Sequence, residues 1–335
     1  MTEARWWHLR TDGTPVCDLC PRRCVLPEGQ VGSCGVRGTR DGRLLALTHG
    51  GIRAMAVDPV EKKPLYHWLP GTRILSLGGV GCNLACDFCQ NWTLSQAFRL
   101  GELRPLDPGG VVTLAREAGC PSVAFTYNEP LVAAEWVIEA AQACQEAGLR
   151  TVAVTAGYVQ EGAREAFFDV MDAVNIDLKS FREAFYRRRC GVRLAPVLET
   201  LTWAAAHGPL WLEVTTLVIP GENDSEAELR ELAAWLASHC GPHTPLHLSA
   251  FHPDHRLLSH PATPETTLIE ARAWAKEEGL QQVYLGNVRV PGAQDTCCPG
   301  CGLRLVRREG SRIRLEGLEH GRCRSCGAAV QGRWT

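Results

Sequence analysis

The chain has 335 residues, of which 45% are hydrophobic and 21% are charged, so it is long enough to bury a full-sized core. Its 35 lysines and arginines nearly balance 37 aspartates and glutamates, and the net charge of −2 provides no overall attraction to nucleic acid. No run of 18 apolar residues is present, and the opening MTEARWWHLR lacks the apolar core of a signal peptide. We therefore expect a cytoplasmic protein without membrane segments.

Sixteen cysteines are the most unusual feature of the composition. Five are scattered singly and are expected to be small buried hydrophobic residues: Cys120, Cys144, Cys190, Cys240 and Cys297. The other eleven fall into three short-spaced groups. In a large chain without an export signal, such groups favour metal or iron–sulfur ligation over disulfides.

The first group lies in residues 1–45, which we predict to be an N-terminal metal-binding segment. Its ligands would be Cys17, Cys20, Cys24 and Cys34. Four thiolates can close either a structural zinc site or an auxiliary [4Fe–4S] cluster, and the spacing leaves both open.

After a lead-in over 46–72, the region 73–292 alternates strand-like and helix-like stretches. The predicted strands are short runs rich in β-branched residues, at 73–80, 122–127, 151–155, 173–178, 211–218, 246–250 and 283–286. Repeated βα units predict an α/β fold with a parallel sheet, either open or closed into a barrel of six or eight units. Polar residues follow six of these strands, and strand ends of this kind are where ligands bind.

The first of these loops, GCNLACDFCQNW (81–92), holds the second cysteine group, Cys82, Cys86 and Cys89. Thiolates are soft ligands, and a [4Fe–4S] cube offers four iron corners. Three cysteines in one loop leave one corner open, and Phe88 can shield the cube from water. Residues 75–100 contain no further cysteine and no histidine, which disfavours a closed zinc site.

The C-x3-C-x2-C spacing, with an aromatic residue before the third cysteine and a position after the first strand of a βα series, resembles the radical S-adenosylmethionine (SAM) superfamily. The resemblance implies a partial (β/α)6-type barrel. It also implies an open iron that is chelated by SAM, with Cys82, Cys86 and Cys89 as the catalytic cluster ligands. The enzyme would then cleave SAM reductively to a 5′-deoxyadenosyl radical, which abstracts hydrogen from a substrate.

The same resemblance implies a set of SAM-binding positions in the later loops. FTYNEP (125–130), VTAGY (154–158) and NIDLKS (175–180) are similar to segments that meet the amino group, the ribose side and other polar groups of SAM in pyruvate formate-lyase activating enzymes. LVIPGENDS (217–225) and SAFHPD (249–254) are similar to segments near the nucleoside. The implied cofactor-binding residues are Phe88, Tyr127, Asn128, Glu129, Thr155, Asp177, Lys179, Asn223 and His252. Val154 replaces an aspartate of those enzymes, so their cation site is not expected here.

The third cysteine group lies in residues 293–335, where two CxxC knuckles are separated by 21 residues. Four thiolates from two tight turns predict a zinc-ribbon-like domain that is stabilised by its metal: Cys298, Cys301, Cys323 and Cys326. Zinc is the expected ion, with a rubredoxin-like iron as its chemical rival. The intervening LRLVRREGSRIRLEG predicts two strands, whose arginines we expect on solvated faces.

A narrower resemblance extends over nearly the whole chain. The run VDPVEKKPLYHWLPG (57–71) and the segment VYLGNV (283–288), with cysteine groups at both ends, are similar to the radical SAM enzyme of the AmmeMemoRadiSam system. This resemblance implies AMMECR-type and Memo-type partner proteins, besides a low-potential electron donor.

Two other functions remain open at this point. One is a glycyl-radical-enzyme activating enzyme. The other belongs to a different class, a metal-stabilised interaction or electron-transfer protein, which would not need polar groups at six strand ends.

Overall fold

The computed structural model describes residues 2–310 and 312–334. Short antiparallel strands build the N-terminal segment, where β1 pairs with β5, β4 with β5, and β2 with β3. These strands are β1 (Thr2–Glu3), β2 (Trp7–Leu9), β3 (Pro15–Cys17), β4 (Arg37–Arg40) and β5 (Arg43–Ala46). Strand β6 (Gly51–Ile52) pairs with a later strand, β9 (Arg104–Pro105).

Seven parallel strands form the main sheet, and an antiparallel strand, β7 (Ala54–Pro59), flanks it at one edge. The parallel strands are β8 (Arg73–Gly78), β10 (Ser122–Phe125), β11 (Arg150–Thr155), β12 (Ala173–Asp177), β13 (Trp211–Val218), β14 (Leu246–Ala250) and β15 (Val283–Gly286). All seven strands expected between 73 and 286 are present, with ends that differ by one to two residues at most.

Helices cross over between successive strands, as parallel pairing requires. They are α1 (Trp92–Ser95), α2 (Pro108–Glu117), α3 (Ala134–Glu146), α4 (Glu161–Phe168), α5 (Glu183–Phe185), α6 (Ala195–Ala206), α7 (Glu226–His239) and α8 (Glu265–Glu277). Local signals set several helix ends. For example, the Ser225 hydroxyl accepts the N–H of Glu228 at the start of α7, and Asp107 accepts the N–H of Gly110 at the start of α2.

The strands are paired in chain order from β8 to β15, without the reversal that defines a doubly wound open sheet. This order is that of a partial barrel, so the fold prediction is confirmed. Among the described residues, no helix is both long and apolar enough to cross a membrane.

The segment between β7 and β8 fills the lower end of the barrel. Val60, Leu65 and Trp68 pack against the first residues of the parallel strands, including Ile74 and Trp211. The backbone N–H groups of Tyr66 and His67 donate to the carboxylate of Glu213, at 2.9 and 2.7 Å, and His247 Nε2 contacts the same carboxylate at 2.6 Å. A buried charge is therefore fully hydrogen-bonded beneath the sheet.

The C-terminal domain packs onto this lower end. It contains β16 (Thr296–Cys297), β17 (Arg304–Glu309), β18 (Arg312–Leu315), β19 (Leu318–Glu319) and β20 (Arg322–Cys323). The expectation that the ribbon arginines lie on solvated faces is wrong for Arg308, which is buried. It donates to the carbonyl of Tyr66 at 2.5 Å, and its guanidinium lies 4.3 Å from the Tyr66 ring centroid. Contacts of this kind cross the expected boundary at 292/293. The boundaries at 45/46, 72/73 and 292/293 stay predictions.

His67 joins the ribbon to the barrel as a neutral side chain. Its Nδ1 donates to the carbonyl of Gln331 at 2.7 Å, and its Nε2 lies 2.5 Å from the hydroxyl of Tyr284. A carbonyl can only accept, so the ring hydrogen is on Nδ1 and Nε2 is the acceptor. Burial lowers the pKa of His67 to about 4.

This lowered pKa predicts a pH-dependent stability. Between about pH 6.5 and pH 4 the unfolded chain protonates His67 while the folded chain does not, so the free energy of unfolding falls as the pH falls through this range. The full contribution of His67 to the free energy of unfolding is present above pH 6.5. About 2 kcal/mol of this contribution is lost between pH 7 and pH 5. Measured by urea denaturation, the free energy of unfolding of His67→Gln should fall between pH 7 and pH 5 by about 2 kcal/mol less than that of the unaltered chain. The exposed His243→Gln is the control, and an unchanged pH dependence in His67→Gln would contradict the assignment.

Candidate active site

The loop that follows β8 carries the three central cysteines to the mouth of the barrel. It begins at Gly81, whose φ is +89° and where an added Cβ would lie 2.5 Å from the carbonyl oxygen of Cys34. Only glycine fits this conformation and this contact without a shift of the backbone. The N–H of Ala85 donates to Cys190 O at 2.9 Å, and Gln96 Nε2 donates to Cys86 O at 2.9 Å. The loop is therefore fixed on both sides.

A cavity of about 460 Å3 lies inside the barrel mouth. It brings together ten of the predicted residues: Cys82, Cys86, Phe88, Cys89, Tyr127, Asn128, Glu129, Thr155, Asp177 and Lys179. These residues come from the carboxyl ends of four successive parallel strands, β8, β10, β11 and β12, which the chain-order pairing places side by side.

The three cysteines suit an iron–sulfur cluster by their chemistry and placement. Their thiols face a common cavity, and Cys82 Sγ accepts the N–H of Leu84 at 3.3 Å, a contact that stabilises a thiolate. Phe88 is buried, lines the cavity beside the cysteines and packs on Phe185, with ring centroids 5.7 Å apart. These residues fit the cluster expected from the sequence.

Glu129 is held rigidly at the cavity wall. The Thr155 hydroxyl donates to its Oε1 at 2.5 Å, and the N–H of Ala156 donates to its Oε2 at 2.8 Å. Burial raises the pKa of the Glu129 carboxyl, although these hydrogen bonds oppose the rise. Its position links the loops after β10 and β11. The carboxylate keeps further lone pairs with which to accept a hydrogen bond from a cationic ligand.

Asp177 and Lys179 form an ion pair beside the cysteine loop. Lys179 Nζ lies 2.9 Å from Asp177 Oδ2 and 6.0 Å from the Phe88 ring centroid. Burial by itself lowers the pKa of the Lys179 ammonium, but Asp177 raises it well above its usual value. A fixed cation and a fixed anion therefore lie side by side next to the cysteines.

Two predicted residues lie away from the cavity lining. Asn223 is buried, and its Nδ2 donates to Lys179 O at 2.7 Å while its Oδ1 accepts the N–H of Ile219 at 2.6 Å. His252 is exposed. His255, three residues further along the chain, stacks on Trp92 with 5.1 Å between the ring centroids. Asn223 holds two loops together in this geometry, and a direct cofactor contact for Asn223 or His252 stays a prediction.

A second charged group at the cavity was missed by the sequence analysis, which noted the run 57–71 but not the ion pair within it. Asp58 accepts hydrogen bonds from Lys63 Nζ at 2.8 Å, from Lys62 Nζ at 2.9 Å and from the Tyr127 hydroxyl at 2.7 Å. Burial alone would raise the pKa of Asp58, but these three donors hold it well below its usual range. Tyr127 has a φ of +71°, a conformation that is rare for a tyrosine.

The two outer cysteine groups lie in different surroundings. The sulfurs of Cys298, Cys301, Cys323 and Cys326 all lie within 4.8 Å of one another. Cys17, Cys20, Cys24 and Cys34 line a small cavity in the N-terminal segment, next to the cysteine loop.

Comparison with known proteins agrees with this geometry. The radical SAM superfamily model matches residues 77–233. The chain is 39% identical to protein MJ0808 of Methanocaldococcus jannaschii over 334 residues, which are 98% of this chain and 99% of that protein. It is 25% identical over 156 residues to the isethionate sulfite-lyase activating enzyme of Oleidesulfovibrio alaskensis, a match covering 46% of this chain and 50% of that enzyme.

The fold has solved counterparts as well. A radical SAM methyltransferase from Sphaerobacter thermophilus superposes with a TM-score of 0.50 at 16% identity, over 70% of this chain and 71% of that one. That structure supports the fold, and the superfamily match over residues 77–233 defines an α/β-barrel enzyme of the SAM-dependent radical kind. The chain belongs to the radical SAM superfamily, and this membership implies a [4Fe–4S] cluster and SAM as cofactors.

The buried pair of Asp58 and Lys63 makes a testable prediction about stability. Asp58 and Lys63 are 5% and 2% exposed, so Asp58→Ala leaves a buried ammonium without its counter-charge. We expect a loss of about 3 kcal/mol in the free energy of unfolding, measured by urea denaturation. Glu3→Ala removes a carboxylate from the exposed pair with Arg43 and should cost less than about 1 kcal/mol. Equal losses in the two variants would contradict this account of the charged group.

Proposed function

We propose that this enzyme uses Cys82, Cys86 and Cys89 to hold a [4Fe–4S] cluster and binds SAM at the iron that the protein leaves open. When bound, the cluster supplies the electron that cleaves the sulfonium of SAM to a 5′-deoxyadenosyl radical, which abstracts hydrogen from a substrate. The observation that carries the proposal is the meeting of three thiols, a buried carboxylate and an ion pair in one cavity of about 460 Å3.

Each of the cavity residues has a role that fits its environment. Glu129 is fixed by Thr155 and accepts a hydrogen bond from the ammonium of SAM. Lys179, held by Asp177, faces the anionic and hydroxyl groups of the ligand. The loop cysteines and Glu129 line a common space, so SAM held by these contacts would lie in the same cavity as the cluster. Asn223 positions the loop of Lys179 through its backbone carbonyl.

We propose zinc as the ion of the C-terminal ribbon. Two pairs of its sulfurs lie 3.5 and 3.6 Å apart, close to the roughly 3.8 Å expected for sulfurs that share one tetrahedral zinc at about 2.3 Å each. The role proposed for the ion is structural, because the hydrophobic cluster of this domain is small.

The narrower family assignment is also a proposal. The agreement of the chain with the AmmeMemoRadiSam radical SAM enzyme at 57–71, 81–96 and 283–288, together with both terminal cysteine groups, supports AMMECR-type and Memo-type proteins as partners.

A second candidate function is the activation of a glycyl radical enzyme. The match to the isethionate sulfite-lyase activating enzyme over 156 residues favours it. In that case the substrate is a glycine of another protein, and the incubated mixture should develop a protein-based glycyl radical signal in electron paramagnetic resonance.

The cysteine assignment is tested by anaerobic SAM cleavage. Cys82→Ala, Cys86→Ala and Cys89→Ala should each abolish the release of 5′-deoxyadenosine in the presence of SAM and dithionite, measured by chromatography. Cys144 is a buried cysteine of α3, outside the cavity, and Cys144→Ala should retain cleavage. Cleavage that survives in any of the three loop variants would refute the assignment.

The role of Glu129 is tested by SAM affinity. Glu129→Gln keeps the shape but removes the charge that faces the ammonium of SAM, so the Kd for SAM should rise about 10- to 100-fold, or about 1.4–2.8 kcal/mol. The measurement is equilibrium dialysis of SAM with the anaerobic, cluster-loaded protein. Glu228→Gln is the matched control, because Glu228 is equally buried and hydrogen-bonded but lies outside the cavity. A similar loss of affinity in both variants would indicate a structural effect only.

A further inference from the structure

The four N-terminal cysteines surround a cavity that the proposed SAM site does not include. Cys17 ends β3, Cys20 and Cys24 lie in the turn that follows, and Cys34 precedes β4. The N–H of Cys17 donates to Cys24 O at 2.9 Å, which closes this turn, and Gly32 donates to Arg37 O at 2.8 Å. Two hairpin ends are thereby folded around the cavity, and the four cysteines line it together with Leu19 and Leu26.

The spacing of the sulfurs separates this group from the C-terminal one. A tetrahedral zinc holds its four sulfurs roughly 3.8 Å apart, since each zinc–sulfur bond is about 2.3 Å. In residues 2–310 and 312–334, which include all sixteen cysteines, only the ribbon group has its sulfurs within 4.8 Å of one another. No three of the N-terminal sulfurs meet that distance, nor do the three sulfurs of the cysteine loop.

Wider spacing is what a cluster requires. In a [4Fe–4S] cube each cysteine binds a different iron, so the cysteine sulfurs lie outside the cube and far from one another. Among the described residues, the N-terminal group and the cysteine loop both lack the close sulfur spacing of the ribbon. It differs from the loop by having four sulfurs around its cavity, one for each iron.

The lining of the cavity also suits a buried anion. Arg37 is 1% exposed, and both of its terminal nitrogens are occupied by Glu135, at 2.9 and 3.0 Å. Its Nε has no hydrogen-bond partner among the described residues, yet the side chain lines the cavity. An N–H at this place can donate to a cluster sulfur or to a cysteine sulfur, which stabilises the negative charge of a tetrathiolate cluster.

The cavity touches the loop of the proposed SAM site. Asn83, which directly follows Cys82, lines the N-terminal cavity, and its Oδ1 is buried without a hydrogen-bond partner in the described part of the chain. Arg22 Nε donates to Asn83 O at 2.5 Å. On the other side, Cys34 O packs against Gly81. Two metal centres in these places would be separated by little more than the backbone of residues 81–83.

We propose that Cys17, Cys20, Cys24 and Cys34 bind a second [4Fe–4S] cluster, which passes single electrons to the cluster of the cysteine loop. The binding of the second cluster is independent of the proposed function, whereas the electron transfer rests on it. In the transfer, a low-potential iron–sulfur or flavin protein loses one electron to the N-terminal cluster. That cluster returns to its oxidised state as the loop cluster is reduced by one electron, and no bond or proton is involved.

The first experiment measures metal content in a chain that lacks the loop ligands. The triple variant Cys82→Ala, Cys86→Ala and Cys89→Ala is loaded anaerobically with iron and sulfide and then assayed for iron, sulfide and zinc. We expect about four irons and about four sulfides per chain, with about one zinc from the ribbon. Adding Cys24→Ser should remove the iron and leave the zinc. Two zincs without iron would overturn the proposal.

Folding and the proposed function are controlled separately. Cys24 is partly exposed, unlike the buried Cys17 and Cys20, so its serine variant should disturb packing little. An unchanged urea unfolding midpoint of the apoprotein would show that iron loss reflects a lost ligand. Cys144→Ala in the triple background should keep the iron. If the loop holds no cluster, the unaltered chain and the triple variant will contain equal iron, a result that contradicts the proposed function without affecting the N-terminal site.

The second experiment tests the contact between the two centres. In the dithionite-reduced full chain, two paramagnetic clusters this close should broaden each other's electron paramagnetic resonance signals. The triple variant should give one sharp signal from the N-terminal cluster. A full-chain spectrum equal to the sum of two unbroadened signals would refute electron transfer through residues 81–83.

Discussion

Parallel pairing of the strands in chain order is the constraint on which the rest of the structure depends. Each of the seven parallel strands hydrogen-bonds to the next parallel strand along the chain, so every strand-end loop lies beside the preceding one. Because the strands all point the same way, their carboxyl ends share one mouth. The loops of Cys82, Glu129 and Lys179 are distant in sequence but meet there.

The end of the barrel opposite the mouth is closed, so the space inside the mouth is a cavity and not a channel through the barrel. The segment from Val60 to Trp68 occupies the bottom of the barrel, and its backbone is fixed by the buried carboxylate of Glu213. The ribbon then seals this segment through Arg308 and His67. The C-terminal domain thus supports the floor from which Lys62 and Lys63 face the cavity.

The charges around the cavity are kept in pairs, which is how buried charges are tolerated. Lys63 is paired with Asp58, and Lys179 with Asp177. Within the described part of the chain, Glu129 accepts hydrogen bonds from a hydroxyl and from backbone N–H groups and from no cationic side chain. Its charge is therefore one that a cationic ligand can still neutralise, and burial raises the pKa of this carboxyl.

The sequence by itself determined the seven parallel strands and the three cysteine groups, because these depend on local patterns: buried strands of short length and ligand spacing within one loop. Through the family resemblance of its strand-end loops, it also indicated ten of the residues that line the cavity. Only the tertiary structure decided that Asp58 is the partner of Lys63, that Asn223 and His252 lie outside the cavity, and that Arg308 is buried. It also decided how far apart the sulfurs of each cysteine group lie, since a spacing in sequence fixes which thiols can meet but not the distance between them. Those properties depend on contacts between residues that are far apart in the chain, and local patterns carry no information about them.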